Sequence, residues 1–544
     1  MRITTKVIQN NSLSNINTNK LLQDKLSQQM STEKKVNRPS DDPIVAIRAL
    51  RLRTNVNQVT QYYEKNVPDA ESWLEVTESA LSSMSEVVTD MIAQCTKGSN
   101  EDLTTDDRET ILTALRALRD EVYSTGNADY AGRYIFTGYR TDTSLTFGDA
   151  TTQEYTITEQ VDNGKIDAIT YVDSGKLLDI NESNYHYDGT NNTIDYAGVK
   201  EQQVMQKQVY RMRLSYDNVD TIDKTQNPVP PENYSIKIWT RTDVDANGNR
   251  TPVYTDLKDV VVGTNGEKAS YDSASIYDKP SPYGGVGENQ IVLIKETGEA
   301  LLGENVYKKL MEQKDVASTP ENEGEIRLEY KKKEWEGSDL RPEHYFRCSS
   351  EGIEYNEDYI NGISDEEKQT IEYDVGLNQR IRVNTTADEV FTHDISRDVE
   401  DMVKAMEDTV AMQKQVEKFK KLLEENEDEK LTETLQNQLA AMEKAFTFLN
   451  EKTQQMFENG ITKMQGHLNA VNFAVTENGT RGQKLELISN RLMSQKTNFE
   501  TLRSENEDID ITEVAIKLSS AELTYSSALM ATGKVLQNNL MNFI

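Results

Sequence analysis

One stretch of the sequence has the spacing of a metal-binding loop. Residues 243–248, Asp-Val-Asp-Ala-Asn-Gly, place side-chain oxygens at alternate positions, as the first half of a calcium loop does. Such a loop also needs a bidentate Glu at its twelfth position, which here is Tyr254. Because this ligand is missing and strand-forming residues flank the stretch, we interpret it as a solvated hairpin turn and expect no metal.

Side chains suited to nucleophilic or transition-metal chemistry are few and scattered. The two cysteines, Cys95 and Cys348, form no CxxC pair, and the four histidines are equally dispersed. Residues 146–370 contain no HExxH zinc motif, no phosphate-binding glycine loop and no GxSxG nucleophile motif. The sequence therefore favours a protein that is not an enzyme, with no catalytic residues and no cofactor.

Charge and hydropathy exclude further classes of protein. The 544 residues include 60 Lys and Arg against 92 Asp and Glu, and the formal charge of −32 would repel nucleic acid and anionic lipid. No apolar run approaches the ~18 to 20 residues that cross a bilayer, and the first forty residues lack the pattern of a cleaved secretory signal. We expect neither nucleic acid nor membrane as a partner.

The composition changes twice along the chain. Residues 1–145 and 385–544 are rich in helix formers, whereas residues 146–370 carry most of the Gly, Pro and Tyr. This layout predicts a mainly α protein with a β-rich insertion, in which N- and C-terminal helices pair into a long bundle. We expect the insertion, residues 146–384, to form one or two outward-projecting β domains, with a hairpin turn at residues 162–164 and further strands near Tyr234, Ile291 and Ile326.

Residues 41–145 and 385–499 should form the helical core, together with a small β-hairpin. Asp42 and Pro43 are typical of a helix start, and from Val56 to Cys95 apolar residues follow a 3.5-residue repeat. Pro68 predicts a kink there or a new helix at Asp69. A second helix is expected from about residue 105 to 124.

The C-terminal region shows the same repeat. A seam from Leu435 to Met456 resumes one residue out of phase at Phe457. The Asn-Gly pair at 478–479 predicts a break. Beyond it a last apolar pattern starts at Ile511 and continues to Phe543, so the final helix is expected to reach the chain end.

The two extreme ends, residues 1–40 and 500–544, are predicted to be assembly arms. Their charge balances of +5 and −4 favour pairing, but residues 1–40 bury too little apolar surface to offset the ordering of their backbone. We expect both arms to be disordered in the monomer and to form coiled coil in an assembly. The proposed packing positions are Ile3, Val7, Leu13, Leu22, Leu518, Tyr525, Leu529, Leu536 and Leu540.

Several motifs resemble the flagellin superfamily. They are Met-Arg-Ile-Thr at 1–4, Asn-Arg-Pro-Ser-Asp-Asp-Pro-Ile-Val-Ala at 37–46 and Asn-Asn-Leu-Met-Asn-Phe-Ile at 538–544. Residues 132–138 look like the family's hairpin, residues 383–391 like its return strand, and residues 482–486 like the segment that opens its last long helix. The short approach to the hairpin and the chain ending are unlike flagellin itself and resemble the branch of hook-associated junction proteins.

The resemblance covers about 145 N-terminal and 160 C-terminal residues, and it implies a function. A member of this branch would be a structural subunit that joins the hook of the bacterial flagellum to its filament by helical self-assembly. Its implied partners are a ring of its own copies, a neighbouring hook-associated junction protein, flagellin and an export chaperone. It would be secreted through the flagellar type III export channel and lie outside the cell.

Two other functions fit the sequence. The chain could be a divergent flagellin that forms the filament itself. Alternatively, it could be a secreted protein whose insertion has glycan-binding or hydrolytic activity, although Tyr and Trp there are more typical of a core than of a sugar platform.

The disorder of the arms can be measured on the purified monomer. Hydrogen–deuterium exchange should be fast throughout residues 1–40 and 500–544 and slow in residues 70–95, because only the latter can bury a complete apolar seam. Slow exchange in both arms of the lone monomer would contradict the prediction.

Overall fold

The computed structural model of the chain describes residues 5–173, 187–188, 193–194, 201–221, 233–244, 250–263, 265–278, 281–312, 326–356, 369–425 and 429–537. These residues are mostly helical, with β-sheet regions. The chain divides into two compact units. Unit 1 comprises residues 1–71, 373–381 and 482–544, and unit 2 comprises residues 72–372 and 382–481.

Most of the long α-helices come from the two ends of the chain. The helices are Thr5–Thr32 (α1), Pro43–Gln61 (α2), Val67–Gly98 (α3), Thr105–Thr125 (α4), Glu304–Glu312 (α5), Ala387–Val390 (α6), His393–Glu425 (α7), Glu429–Glu507 (α8) and Ile511–Gln537 (α9). The expected start of α2 is confirmed, because the Asp42 carboxylate accepts hydrogen bonds from the amides of Ile44 and Val45. Helix α4 starts with a capping box between Thr104 and Asp107.

The chain passes Pro68 without starting a new helix at Asp69. A π-helical turn, Tyr62–Asn66, joins α2 to α3, and the Val67 amide donates to the carbonyl of Tyr62. Proline has no amide hydrogen to donate, and the wider turn immediately before it changes the hydrogen-bond register at this point. Of the two expected outcomes, a restart at Asp69 is therefore wrong.

The predicted helix break at residues 478–479 is also wrong. Helix α8 runs without interruption from Glu429 to Glu507, so residues 482–486 lie inside it and do not open a helix. The Asn478 side chain is buried, and its Nδ2 donates to the carbonyl of Leu74 over 2.9 Å. Asn478 thus connects α8 to α3 instead of forming a turn. An added Cβ at Gly479 would meet nothing within 4 Å.

Two larger sheets and three small ones form the β regions. The strands are Asp129–Tyr130 (β1), Arg133–Tyr134 (β2), Thr151–Val161 (β3), Ile166–Asp173 (β4), Tyr187–Asp188 (β5), Thr193–Ile194 (β6), Met205–Arg213 (β7), Tyr234–Val244 (β8), Arg250–Asp256 (β9), Ser270–Ala274 (β10), Gln290–Ile294 (β11), Glu299–Leu302 (β12), Ile326–Trp335 (β13), Arg347–Ser350 (β14), Ile353–Tyr355 (β15), Glu372–Gly376 (β16) and Gln379–Arg382 (β17). One sheet has the order β10-β11-β12-β7-β4 and the other β15-β14-β3-β13-β8-β9. The pairs β1-β2, β5-β6 and β16-β17 are separate.

The hairpin expected at residues 162–164 is a corner between the two larger sheets. Strand β3 pairs with β13 and β14, whereas β4 pairs with β7. Asp162 caps a short 3₁₀ turn there by accepting a hydrogen bond from the Gly164 amide. The turn chemistry was interpreted correctly, but it does not determine which strands become neighbours.

Two further expectations concern the return strand at 383–391 and the stretch with partial calcium-loop spacing. The return strand expected at 383–391 is wrong, because β17 ends at Arg382 and the short helix α6 follows. Strands β8 and β9 pair on either side of the stretch with partial calcium-loop spacing, but residues 245–249 lie outside the described residues. The Tyr254 hydroxyl accepts a hydrogen bond from Gln160.

Helices α3, α7 and α8 pack closely in unit 2. Phe457 of α8 and Met402 of α7 are almost completely buried. A Cβ added to Gly98 at the end of α3 would lie 2.3 Å from the ring of Phe457, and one added to Gly460 would lie 2.3 Å from the Met402 sulfur. These glycines allow the close approach of the helices.

We predict opposite effects for two glycine substitutions. Gly98→Ala should lower the free energy of unfolding by ~1 to 3 kcal/mol, because the rigid Phe457 ring has to move. Gly479→Ala is the matched control and should raise it by ~0.5 to 1 kcal/mol, since it meets nothing and improves helix propensity. Urea denaturation monitored by circular dichroism would measure both, and equal effects would contradict the packing described.

Candidate assembly surface

In unit 1 the two terminal helices pack against each other. Leu26 of α1 forms a buried cluster with Val514 and Ala521 of α9, and Leu518 packs against that cluster. The segment that follows α1 and the segment that precedes α9 run antiparallel to each other, and Lys34 and Asp508 form an antiparallel bridge between them. The opposite charges of the two arms thus accompany a direct contact between them.

Backbone and side-chain bonds hold the segment between α1 and α2 against the segment between α8 and α9. The Lys35 amide donates to the Glu507 carbonyl over 2.7 Å, and the Ile509 amide donates to the Glu33 carbonyl over 3.1 Å. Arg53 of α2 binds the buried Glu507 carboxylate with two hydrogen bonds of 2.7 and 2.6 Å. We call this group of contacts the Glu507 clamp.

Unit 1 exposes many large apolar side chains. Among the described residues they are Val7, Leu13, Leu21, Leu22, Met30, Ile44, Ile47, Leu50, Leu377, Leu487, Met493, Leu502, Ile511, Ile516, Leu523, Leu529 and Met530. Scattered apolar residues are normal on a protein surface, but a concentration of them marks an interaction site. This unit is therefore the candidate assembly surface.

The expected packing positions fall into three groups. Leu518 and Tyr525 are partly buried, and Leu518 packs against the α1–α9 cluster. Four positions are exposed: Val7, Leu13, Leu22 and Leu529. Ile3 and Leu540 lie outside the described residues, and Leu536 belongs to α9 but its side chain is not described. Their role in assembly stays a prediction, as does the disorder of the arms in the monomer.

Sequence reasoning missed an apolar stripe on the other side of α9. Ile516, Leu523 and Met530 are 66, 71 and 66% exposed. Their spacing of seven residues places them on one side of the helix, and we call them the α9 outer stripe. The seven-residue spacing of the stripe is visible in the sequence. It is out of phase with Leu518 and Tyr525, on which the expected seam was based.

A buried charge network in unit 2 joins the sheet containing β7 to helices α7 and α8. Arg211 of β7 bonds to Glu299 of β12 and to Asp401 of α7, the latter with one distance of 2.9 Å. Arg213 binds Asp398 over 2.8 Å and Asp401 over 3.0 Å. Arg211 and Asp401 are 190 positions apart in the sequence, so periodicity alone could not have found the network.

Asp398 is the centre of this network. Lys463 and His467 of α8 bind it over 2.7 and 3.2 Å, in addition to Arg213. Burial raises the pKa of the Asp398 carboxyl, but the hydrogen bond from His467 and the charges of Arg213 and Lys463 outweigh it and hold the pKa below its ordinary value. The carboxylate is therefore ionised at neutral pH.

Metal-ligand groups and reactive thiols were two kinds of site to look for among the described residues. They include no group of three or more His, Cys, Asp or Glu that could hold a metal ion. Burial raises the pKa of the Cys95 thiol to about 12 and also raises that of Cys348. Both thiols are therefore protonated at neutral pH and are poor nucleophiles. None of the helices in the described part of the chain is long and apolar enough to span a membrane.

The N-terminal part of the chain matches a known family model. Residues 3–141 match the family model of the bacterial flagellin N-terminal helical region. This match confirms the resemblance to the flagellin superfamily.

Two curated relatives are similar to parts of the chain. The chain is 34% identical over 170 residues to flagellar hook-associated protein 3 of Salmonella typhimurium, covering 30% of this chain and 53% of the relative. It is 34% identical over 145 residues to the protein of that name from Escherichia coli, covering 26% and 45%. The chain thus spans about half the length of the curated relatives it matches. The resemblance to the junction-protein branch is confirmed.

A solved structure carries a related name. The flagellar junction protein FlgL from Legionella pneumophila is 12% identical, the alignment covers 86% of this chain and 100% of that one, and the TM-score is 0.27. That score is too low to define a shared overall fold.

Replacing the central carboxylate should weaken unit 2. Asp398→Asn should lower the free energy of unfolding by ~3 kcal/mol at pH 7, because it removes the buried carboxylate that Arg213, Lys463 and His467 share. As the pH falls below about 4, the unfolded chain takes up a proton at Asp398 before the folded protein does, because the folded-state pKa is the lower one. The wild-type protein should therefore lose this contribution progressively in acid, and its stability should approach that of the variant.

Asp408→Asn is the matched control on the same helix. Asp408 forms an ion pair with Lys404 at an exposed position, so this change should cost less than ~1 kcal/mol. Urea denaturation at several pH values would measure both variants. A difference between wild type and Asp398→Asn that stays constant into acid would argue against the described role of the carboxylate.

Proposed function

We propose that this protein is a structural subunit of the bacterial flagellum that joins the hook to the filament. The observation that carries the proposal is the concentration of exposed apolar side chains on the unit that contains both chain ends. The name hook-associated protein 3 of its two relatives supports the same role. These relatives are structural proteins and not enzymes, so the role requires packing and no catalysis.

Assembly would use the terminal arms, residues 1–40 and 500–544. The α1–α9 pair buries one face of each helix, and Val7, Leu13, Leu22 and the α9 outer stripe remain for contacts with neighbouring copies. Burying each large side chain would add about 1.5 to 3 kcal/mol that the monomer cannot obtain. In the assembly the N- and C-terminal helices would extend as one long bundle, with the β-rich residues 146–384 projecting outward.

The proposal also includes partners and location. The subunit would bind its own copies in a ring, a neighbouring hook-associated junction protein and flagellin, and an export chaperone before secretion. It would leave the cell by the flagellar type III pathway and remain on the extracellular flagellum. Each of these steps is inferred from the family resemblance and not from a contact in this chain.

A divergent flagellin is the second candidate, because the matched family region is named after flagellin. Electron microscopy of the purified protein separates the two functions. A junction subunit should give short assemblies or none on its own, whereas long filaments formed by the protein alone would favour flagellin.

The proposal predicts the effect of removing the C-terminal arm. Cells whose only copy lacks residues 500–544 should export the protein, shed flagellin into the medium and be immotile. Swimming assays and immunoblots of the medium would measure this. Normal swimming of these cells would contradict the function.

A point substitution tests the α9 outer stripe without removing the arm. Leu523→Glu should abolish motility and filament retention, because the charge would be buried between subunits. It should leave the circular dichroism of the monomer unchanged, since Leu523 is exposed. Thr524→Glu, also exposed on α9 but about 100° around the helix from Leu523 and outside the stripe, is the control and should swim normally. Equal motility of the two variants would exclude the stripe from the interface.

A further inference from the structure

Several Asn-Gly pairs occur in the chain, and four of them lie among the described residues. They are residues 163–164, 265–266, 459–460 and 478–479. In such a pair the backbone nitrogen of the glycine is close to the side-chain carbonyl carbon of the asparagine, and glycine has no side chain that blocks its approach. The nitrogen can attack this carbon wherever the backbone is free to bring the two atoms together.

The two pairs in α8 are protected from this attack by the helix. In an α-helix the amides of Gly460 and Gly479 donate to the carbonyls four residues earlier, and α8 is uninterrupted from Glu429 to Glu507. The side chain of Asn478 is also only 1% exposed, and its Nδ2 donates to the carbonyl of Leu74. Either pair would have to unwind locally before it could react.

The pair at 163–164 is protected by burial and by a hydrogen bond. Asn163 is 6% exposed, and the Gly164 amide donates to the Asp162 carboxylate over 2.8 Å. This bond belongs to the 3₁₀ turn at the corner between β3 and β4. The glycine nitrogen is therefore already bonded, and the fold encloses the asparagine side chain.

The pair at 265–266 has neither kind of protection. Asn265 and Gly266 are both exposed and lie in a turn, which is closed by hydrogen bonds from the amides of Val262 and Gly263 to the Glu267 carbonyl. Among the described residues, the Gly266 amide has no hydrogen-bond acceptor. A Cβ added at Gly266 would meet nothing within 4 Å, so the space around the nitrogen is open.

We propose that Asn265 is a site of spontaneous deamidation. The Gly266 nitrogen loses its proton and forms a bond to Asn265 Cγ, while the side-chain nitrogen takes up a proton and leaves as ammonia. The product is a five-membered succinimide ring. Water then adds to either carbonyl carbon of the ring and breaks its bond to the nitrogen, which gives aspartate or isoaspartate. One water is consumed and one ammonia is released, so the reaction requires no oxidant and no enzyme.

Each conversion changes the turn in two ways. It adds one negative charge at an exposed position. The isoaspartate product also carries the backbone through the former side chain, which inserts one methylene group into the turn that the Glu267 carbonyl closes. Because the reaction is slow and is not reversed by the protein itself, the converted fraction increases with the age of the molecule. This site is independent of the structural role of the terminal helices.

Peptide mass spectrometry of the full-length protein after incubation at mildly alkaline pH would test the site. In the folded protein, Asn265 should convert about tenfold faster or more than the other three asparagines, because they react only after local opening. In urea, where this protection is lost, the four rates should become similar. Isoaspartate formation can be confirmed with isoaspartyl methyltransferase and a labelled methyl donor.

Gly266→Asp should slow the conversion of Asn265 severalfold, because the new side chain hinders the attacking nitrogen. Aspartate tolerates the positive φ of 83° at this position better than most residues do. Gly352→Asp is the matched control, since Gly352 has a φ of 81°, an added Cβ there meets nothing within 4 Å, and the preceding residue is Glu351. It should leave the rate at Asn265 unchanged.

The comparison of the four asparagines within the wild-type protein decides the result even if a variant does not fold. Three outcomes would overturn the proposal. Asn265 could convert no faster than the other three in the folded protein, its advantage could persist unchanged in urea, or folded Gly266→Asp could convert as fast as the control.

Discussion

The Glu507 clamp is the interaction on which the organisation of unit 1 depends. A carboxylate that is 6% exposed would be costly without partners, and Arg53 supplies a bidentate pair while the adjacent backbone bonds to Lys35. Residues from near both ends of the chain are thereby fixed at one point. Helices α1 and α9 both leave from this point, so their antiparallel packing follows from it.

The clamp also explains why the apolar residues of α9 fall into two groups, one buried against α1 and one exposed. Once α1 and α9 are paired, Leu26, Val514 and Ala521 satisfy each other within the chain. The α9 outer stripe then has no described partner helix on its side. One face of α9 therefore packs within the chain, and the opposite face is exposed. The apolar positions of the sequence alone do not tell these two faces apart.

Much of the helical structure could be predicted from the sequence, because its causes are local. The cap at Asp42 and the 3.5-residue repeat between Val56 and Cys95 depend on residues a few positions apart. The wrong predictions concern residues whose local chemistry is compatible with two different structures. Asn478 was interpreted as a turn residue although its side chain bonds to another helix, and the turn at Asp162 joins two sheets instead of two paired strands.

The candidate sites were harder to predict than the helices. Asp398, Arg213 and Lys463 are brought together by the tertiary fold, and none of them belongs to a short motif. The α9 outer stripe was visible as a heptad spacing, but only the structure separates the face that α1 covers from the face that it leaves open.

The exposed apolar residues of the α9 outer stripe are carried by a helix and not by an edge strand. A helix satisfies its backbone hydrogen bonds internally, so it offers no row of unpaired N–H and C=O groups to which the strands of other chains could bind. Premature encounters between free subunits would then involve side chains alone and could dissociate again. The same degree of exposure on a flat strand would instead offer a template for amyloid growth.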